Sequence, residues 1–321
     1  MINNSEFLYI YDVRNSNPNG DPDKMNQPRY DENTERIEVS KYRIGKDVRR
    51  FVSLGKGYKV FTHREEDGDV VTSEKRLEEL GIDKNDPDIL EKLKEFYDVR
   101  TFGVVVTIAS DKKGSKKKNT EESEEGADKK GKSYKRTGPV QIFWGYSLNK
   151  PNLKEHSITS TFASGENKTT GTIGSVQMVD YALIAHGGRI SGLNGLATGI
   201  TEQDVLDLDE ALIKSVSLLQ STTKQNRHVR FYVRLEMNSS HEFLDDLRNY
   251  IEIENEKIYS IKEAKLDISK LVEYLKDNKQ KIKTVYVYHH PLFELKDGDE
   301  VTTDFGQYLE KNGFNVVKLN N

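Results

Sequence analysis

The chain runs Arg14-Asn15-Ser16-Asn17-Pro18-Asn19-Gly20-Asp21-Pro22-Asp23, a stretch dense in side-chain oxygens and in residues that shape backbone. Asn15, Asn17, Asn19 and Gly20 fall on the first, third, fifth and sixth positions of a calcium-binding EF-hand loop, but that loop opens on Asp and closes on a bidentate Glu, here Asn26. Pro18 and Pro22 also intrude, so calcium is not expected. Asp12, Asp21, Asp23 and Asp31 could gather a divalent metal for hydrolysis, although solvation of a loop accounts for the same acids. A third chemistry is to hold a phosphate–sugar chain through exposed Asn side chains and backbone N–H groups. A last reading needs no ligand, because Asn, Gly and Pro end strands for local backbone reasons.

The neighbouring sequence favours the phosphate chemistry. Lys41, Arg43, Lys46, Arg49, Arg50, Lys56, Lys59 and Arg64 face one acid, Asp47, so eight cations minus one carboxylate leave +7. On a helix, Arg43, Lys46 and Arg50 at i, i+3 and i+7 lie opposite Ile44, Val48 and Phe51, with Arg49 beside them. A merely solvated face interleaves both signs, and this one does not. Contact with phosphates is therefore expected from Arg43, Lys46, Arg49 and Arg50, joined by Arg14, Asn15, Asn17 and Asn19 of the loop.

Other chemical signatures are weak. There is no GxSxG or HExxH, and "GENKTTG" sets Lys168 and Thr169 inside rather than after its second Gly, unlike a phosphate-binding P-loop. His186 precedes Gly187, Gly188 and Arg189, where backbone could approach a ligand closely. The only Trp, Trp144, reads as a core anchor rather than a base-stacking platform. With no Cys, thiolate metal sites and Cys nucleophiles are excluded. No metal or other cofactor is expected.

A chain of 321 residues can bury a sizeable core, while 32% charged residues suggest extensive loops or partner surface. The formal charge of −4 puts any nucleic-acid footprint in a local patch. No apolar run has membrane-spanning length and the amino terminus has no secretory pattern, which reads as a cytoplasmic protein without a membrane partner.

These residues need positioning elements. "EFLYIYDV" is a strand with Phe7, Tyr9 and Tyr11 on one face, and "VSKYRIGKDVRRFVSL" a helix with Ser40 as N-cap. Residues 86–97 read as a helix and "DVRTFGVVVTI" as a strand. From 111 to 136, 16 of 26 residues are charged and none is Val, Ile, Leu or Phe, which predicts a disordered insertion. Strands follow at "GPVQIFWGYSL", "VQMVDYALIAHGG" and "RHVRFYVRLEM", with a helix opened by a Thr201–Asp204 capping box. The order suits an α+β fold, ferredoxin-like around one antiparallel sheet, without the RNP1 pattern of conventional RNA-recognition domains.

Together "RNSNPNGDPD" at 14–23, "VSKYRIGKDVRRF" at 39–51, "DVRTFG" at 98–103, "TGPVQIFWGYSLN" at 137–149, "ITSTFASGE" at 158–166, "YALIAHG" at 181–187 and "TEQDVLDLDEAL" at 201–212 resemble a known family. It is the Cas-seven, Csh-type backbone subunit of type I-B CRISPR Cascade complexes, in the RAMP superfamily. The chain departs from it at Val104, commonly Ala, and at Thr222-Thr223-Lys224, where the family carries a basic triplet. That departure leaves an RNA contact at 222–224 without support from the resemblance.

The resemblance implies a modified RNA-recognition-like palm over 1–238, with helical fingers at about 55–100, a thumb hairpin, and an α/β extension at 239–321 packed on the core. The Ser/Thr/Gly-rich segment 157–175 is the candidate thumb, with Thr159, Thr161, Phe162 and Lys168 as RNA contacts alongside His186 and Arg189. Implied partners are crRNA, target DNA by way of the guide, further copies of the chain head to tail, other Cascade subunits and a recruited nuclease-helicase. The implied activity is binding in antiviral defence, not catalysis. The competing expectation is a metal-dependent RAMP endoribonuclease using loop acids such as Asp21 and Asp23.

Overall fold

The computed structural model describes residues 1–62, 71–109, 132–159 and 173–320. Strand β1 (Ser5–Ser16) is buried without a break from Ser5 to Val13, with Phe7, Tyr9, Tyr11 and Val13 facing one core and Leu8 and Ile10 the other. β1 is therefore a central strand, covered on both faces. On one side it pairs antiparallel with β2 (Ile173–Ile190), Ser5 opposite Ile190 and Ser16 opposite Val179. On the other it pairs antiparallel with β3 (Arg227–Met237), with a register shift at Ile10/Tyr11. Gly145–Ser147 adds to β2, while β4 (Ile282–His289) adds to β3 and carries Val316–Lys318 in parallel beyond it.

Helices α1 (Lys41–Lys56) and α2 (Glu202–Leu218) cover the Tyr9 face. Two helices on one face, over the order β3, β1, β2, Gly145–Ser147, is the ferredoxin-like arrangement. α2 begins as its sequence requires: the Asp204 amide donates to Thr201 Oγ1 (3.1 Å) and the Thr201 amide to Asp204 Oδ2 (2.9 Å). The opposite face packs on Leu271, Leu275, Phe293 and Phe305 of the C-terminal third. That third does more than pack on a finished core, since β4 and Val316–Lys318 extend the main sheet itself.

A separate small cluster, including Phe61, Leu77, Ile89, Leu93, Phe96 and Val106, forms the core of an insertion between α1 and residue 137. The helix expected over 86–97 is broken into Ile89–Lys92 and a 3-10 turn at Leu93–Glu95, and a further helix, Tyr97–Phe102, takes up most of "DVRTFG". Phe96 is extended (φ −87°, ψ 129°), which swings Tyr97 round to donate its hydroxyl to the Asp204 carbonyl (3.0 Å). The strand starts only at Gly103, whose φ is 79° and where a Cβ would lie 2.3 Å from the Arg136 carbonyl oxygen.

The partner of that strand is Lys132–Thr137, inside the stretch expected to be disordered. Its composition offers little to bury, but a backbone ladder with Gly103–Ile108 does not depend on side-chain type, and Tyr134 packs on the small cluster. The rest of the charged insertion, up to residue 131, lies outside the described residues. So do residues 160–172 of the candidate thumb; its described ends are the paired strands Leu153–Thr159 and β2, with Thr159 opposite Ile173. No helix among the described residues is long and apolar enough to cross a membrane.

His186 is a core residue and not a surface contact. It lies within β2 with no solvent exposure, its ring stacked on Tyr11 at 6.0 Å and its Nδ1 3.0 Å from the Phe143 carbonyl oxygen. Burial pulls its pKa down to about 4 from 6.5. The folded ring stays neutral where the unfolded ring takes a proton, so falling pH favours unfolding across that interval, by about 3 kcal/mol in total. NMR of the His186 ring is expected to show no titration between pH 8 and 5, roughly the range in which an exposed His would change charge; a midpoint near 6.5 contradicts this burial.

Candidate nucleic-acid interface

α1 presses Ile44, Val48, Phe51 and Val52 into the sheet, side chains whose burial stabilises by about 1.5–3 kcal/mol each. Hydrophobic packing is not directional, and three ion pairs to other elements fix where the helix sits. Asp47, fully buried, accepts from Arg43 of its own helix (2.6 Å) and from Arg227 of β3 (3.2 Å). Arg49 donates through Nε to Asp98 (3.1 Å), which also caps the amides of Phe61 (2.7 Å) and Thr62 (3.0 Å). Lys56 reaches Asp207 of α2 (2.7 Å).

Those bonds divide the expected cationic face. Arg43 is spent on Asp47 of its own helix and Arg49 on holding α1 to Asp98, Arg49 also lying 4.9 Å from the Phe102 ring centre. Tyr42, Lys46 and Arg50, spaced by four, form the exposed outer ridge. Arg50 makes no hydrogen bond or ion pair among the described residues.

A residue at a position where the sequence departs from the family, and so left without support as an RNA contact, completes the ridge. Lys224 stands in a turn closed by reciprocal backbone bonds with Ser221 (3.2 and 3.0 Å), half-buried beside α1. Burial, then the nearby Arg43 and Arg227, hold its ammonium below the usual lysine range. Among the described residues Arg43, Lys224 and Arg227 thus surround Asp47: three cations against one carboxylate, a surplus of two. Such a surplus, partly desolvated, is relieved by an incoming anion. The turn is placed by tertiary contacts, the Asn17 amide and Ser16 hydroxyl donating to the Thr223 carbonyl (2.7 and 3.2 Å) and the Arg14 amide to the Asn226 carbonyl (3.2 Å).

The opening loop answers differently from its sequence. Asn17 and Asn19 are 4% and 7% exposed and staple the loop rather than line a surface. Asn17 Nδ2 donates to the Asn26 carbonyl (2.6 Å), and Asn19 Oδ1 accepts from the Ser40 amide (3.2 Å) and hydroxyl (3.0 Å), tying the loop to the start of α1. Of the four candidate contacts only Asn15, at φ 46°, and Arg14 are exposed, and strand alternation turns Arg14 to the side of β1 opposite α1. Arg189 is remote from all of these, at the other end of β2, bound to Glu6 (2.5 Å) and the Leu244 carbonyl (3.0 Å). The candidates Thr161, Phe162 and Lys168 lie outside the described residues.

Nor do the acids gather. Asp12 is buried on the face away from α1, 2.9 Å from Arg230 and accepting from the Tyr181 hydroxyl (3.0 Å). Asp21 lies 3.4 Å from Arg29, and Asp31 accepts from Thr34 (2.7 Å) in its own turn. Among the described residues no three His, Asp or Glu side chains are grouped to hold a metal.

The profile of CRISPR-associated protein Cas7 matches residues 3–269. The chain belongs to the Cas7 family. It is 28% identical over 338 aligned residues to the CRISPR-associated protein Cas7 of Haloferax volcanii, the match covering 99% of this chain and 96% of that protein. Among solved structures it resembles a chain of a CRISPR RNA-guided surveillance complex in a pre-nicking state, with TM-score 0.49, 14% identity, and 92% and 96% of the two chains covered. A chain of another CRISPR RNA-guided surveillance complex gives TM-score 0.47 at 12% identity, with 92% and 95% covered.

Two substitutions separate anchoring from surplus charge. Asp47→Asn leaves Arg227 buried without its counter-charge and is expected to cost roughly 3–5 kcal/mol in urea denaturation. Lys224→Gln removes one of the excess cations, so the RNA-free protein is expected to unfold at the same or a higher temperature. Wild-type stability for Asp47→Asn would contradict the anchoring role.

Proposed function

We propose that this Cas7 protein is a guide-holding backbone subunit of a CRISPR surveillance complex of subtype I-B, gripping the sugar-phosphate chain of crRNA on the ridge of α1. The observation that carries the reading is the surplus of cations around Asp47, with Lys46 and Arg50 exposed above it and Lys224 half-buried beside it. Guide sequences vary, so the protein must hold phosphates through charge and leave base edges free to pair with target DNA. A rigid helix is suited to this. Lys46 and Arg50 stand four apart while Arg43, Asp47, Arg49 and Lys56 are ion-paired, so phosphates meet a preformed potential.

Copies repeat head to tail along the guide. Identical contacts that do not close make an open array, and the RNA then sets its length. Avidity across neighbours lets a chain of net charge −4 hold RNA with one positive strip each. Other Cascade subunits and a nuclease-helicase act on the assembled particle, and cutting belongs to the latter. The competing metal-dependent endoribonuclease, on Asp21 and Asp23, has less support: Asp21 lies 3.4 Å from Arg29, and among the described residues no three His, Asp or Glu side chains are grouped to hold a metal.

The variant Lys46→Ala/Arg50→Ala/Lys224→Ala tests the strip. Arg49 is left intact because it anchors α1 to Asp98. The variant is expected to purify with little RNA, read as a fall in ultraviolet absorbance at the nucleic-acid maximum. The slope of log K against log salt should fall by about 0.7 for each lost contact, roughly two in all. Unchanged RNA content and slope would place the guide elsewhere.

A further inference from the structure

We propose that the sheet edge beside the start of α1 carries a stacking site for one or two unpaired nucleobases, with Trp144 as its platform. This rests on the guide-holding reading and adds to it a place where bases, rather than phosphates, are received.

Trp144 is 44% exposed, contrary to a core anchor. It stands where the expected strand "GPVQIFWGYSL" breaks into Val140–Ile142 and Gly145–Ser147. The break is held on both sides. The Phe143 amide donates to the Gly187 carbonyl (2.8 Å), and Gly145 lies so close to His186 that a Cβ would sit 2.4 Å from Nε2. Arg248 donates to the Trp144 carbonyl (2.6 Å). The indole is thus presented from a fixed frame.

Beside it is a groove of about 540 Å³ walled by Phe143, Trp144 and Phe243, the last 38% exposed. Guanidinium groups stand against these rings: Arg29 5.9 Å from Trp144, and Arg189 5.8 Å from Phe143 and 5.1 Å from Phe243. Three nearby acids are held by guanidinium groups, Asp21 by Arg29, Glu6 by Arg189 and Asp246 by Arg248, while Glu242 and Asp245, on either side of Phe243, are exposed. Lys41 on the rim pairs with no carboxylate among the described residues and lies 5.4 Å from the Tyr42 ring centre.

Aromatic walls with guanidinium groups and Lys41 at the rim complement a flat π system that carries a phosphate. The groove is also continuous with the proposed RNA strip. Lys41, Gln141 and Ile142 line both it and the cleft formed by Tyr42, Arg49 and Phe102 along α1.

Because the chain has one Trp, its emission reports on this site alone. The purified protein is titrated with a single-stranded RNA oligonucleotide bearing a terminal dye. Dye anisotropy then follows binding and tryptophan emission follows stacking. RNA is expected to quench the emission with the midpoint of the anisotropy curve. Trp144→Ala should weaken binding by about 5- to 100-fold with circular dichroism unchanged, and Trp144→Phe should restore most of it. Binding by anisotropy with unmoved emission and a neutral Trp144→Ala would overturn the stacking site and leave the guide-holding reading in place. Emission that changes with protein concentration in RNA-free samples, and not with RNA, would also overturn it, by assigning the groove to protein contact. Absence of any anisotropy change with wild-type protein would remove both.

Discussion

The position of α1 depends on one buried carboxylate. Asp47 is enclosed between Arg43 of its own helix and Arg227 of β3, and Arg227 in turn donates to the Leu219 carbonyl at the end of α2. A charge this deep is tolerated only because it is paired and hydrogen-bonded, so the register of α1 against β3 and α2 is set by direction as well as by apolar fit. Slide the helix by one residue and the bond to Arg227 is lost, while the Arg43 pair within the helix moves with it. Arg49–Asp98 and Lys56–Asp207 extend the same constraint to the insertion and to α2.

The constraint has a functional consequence. Cations that lock the helix are those nearest the sheet, and cations left outward are those one helical turn apart on the ridge. Charge is thereby divided between a structural layer and a binding layer on a single helix. Lys224, brought in by a turn zipped to residues 14–17, leaves the cluster with more positive charge than its one acid offsets. Phosphates of a bound strand supply the missing negative charge, which couples local electrostatic relief to binding.

Much of the fold was legible because its signals are local. The alternation in "EFLYIYDV", the apolar stripe Ile44/Val48/Phe51 and the Thr201–Asp204 capping box each specify an element within a few residues, and each is present. The failures share a cause, since they concern what a residue meets across the sheet. Asn17 and Asn19 look like exposed donors until Asn26 and Ser40 take their side chains. His186 looks available beside two glycines until those glycines prove to be the means of packing, with Phe7 where a Cβ of Gly188 would lie. Lys132–Thr137 reads as disordered by composition, yet a partner strand satisfies its backbone. Lys224 stays without support in the sequence because Thr222-Thr223-Lys224 departs from the family, and only its tertiary neighbours Arg43 and Arg227 reveal it; Trp144 stands exposed beside Gly145, which is packed on His186.

The central claim is that the guide lies along the ridge of α1 next to Lys224. Lysine acetylation footprinting of the RNA-loaded protein against RNA-free protein measures this directly, residue by residue. Lys46 and Lys224 are expected to be protected by RNA, while Lys262 and Lys276, exposed on the C-terminal third, react equally in both states. Protection of Lys262 and Lys276 with Lys46 and Lys224 still reactive would contradict the account.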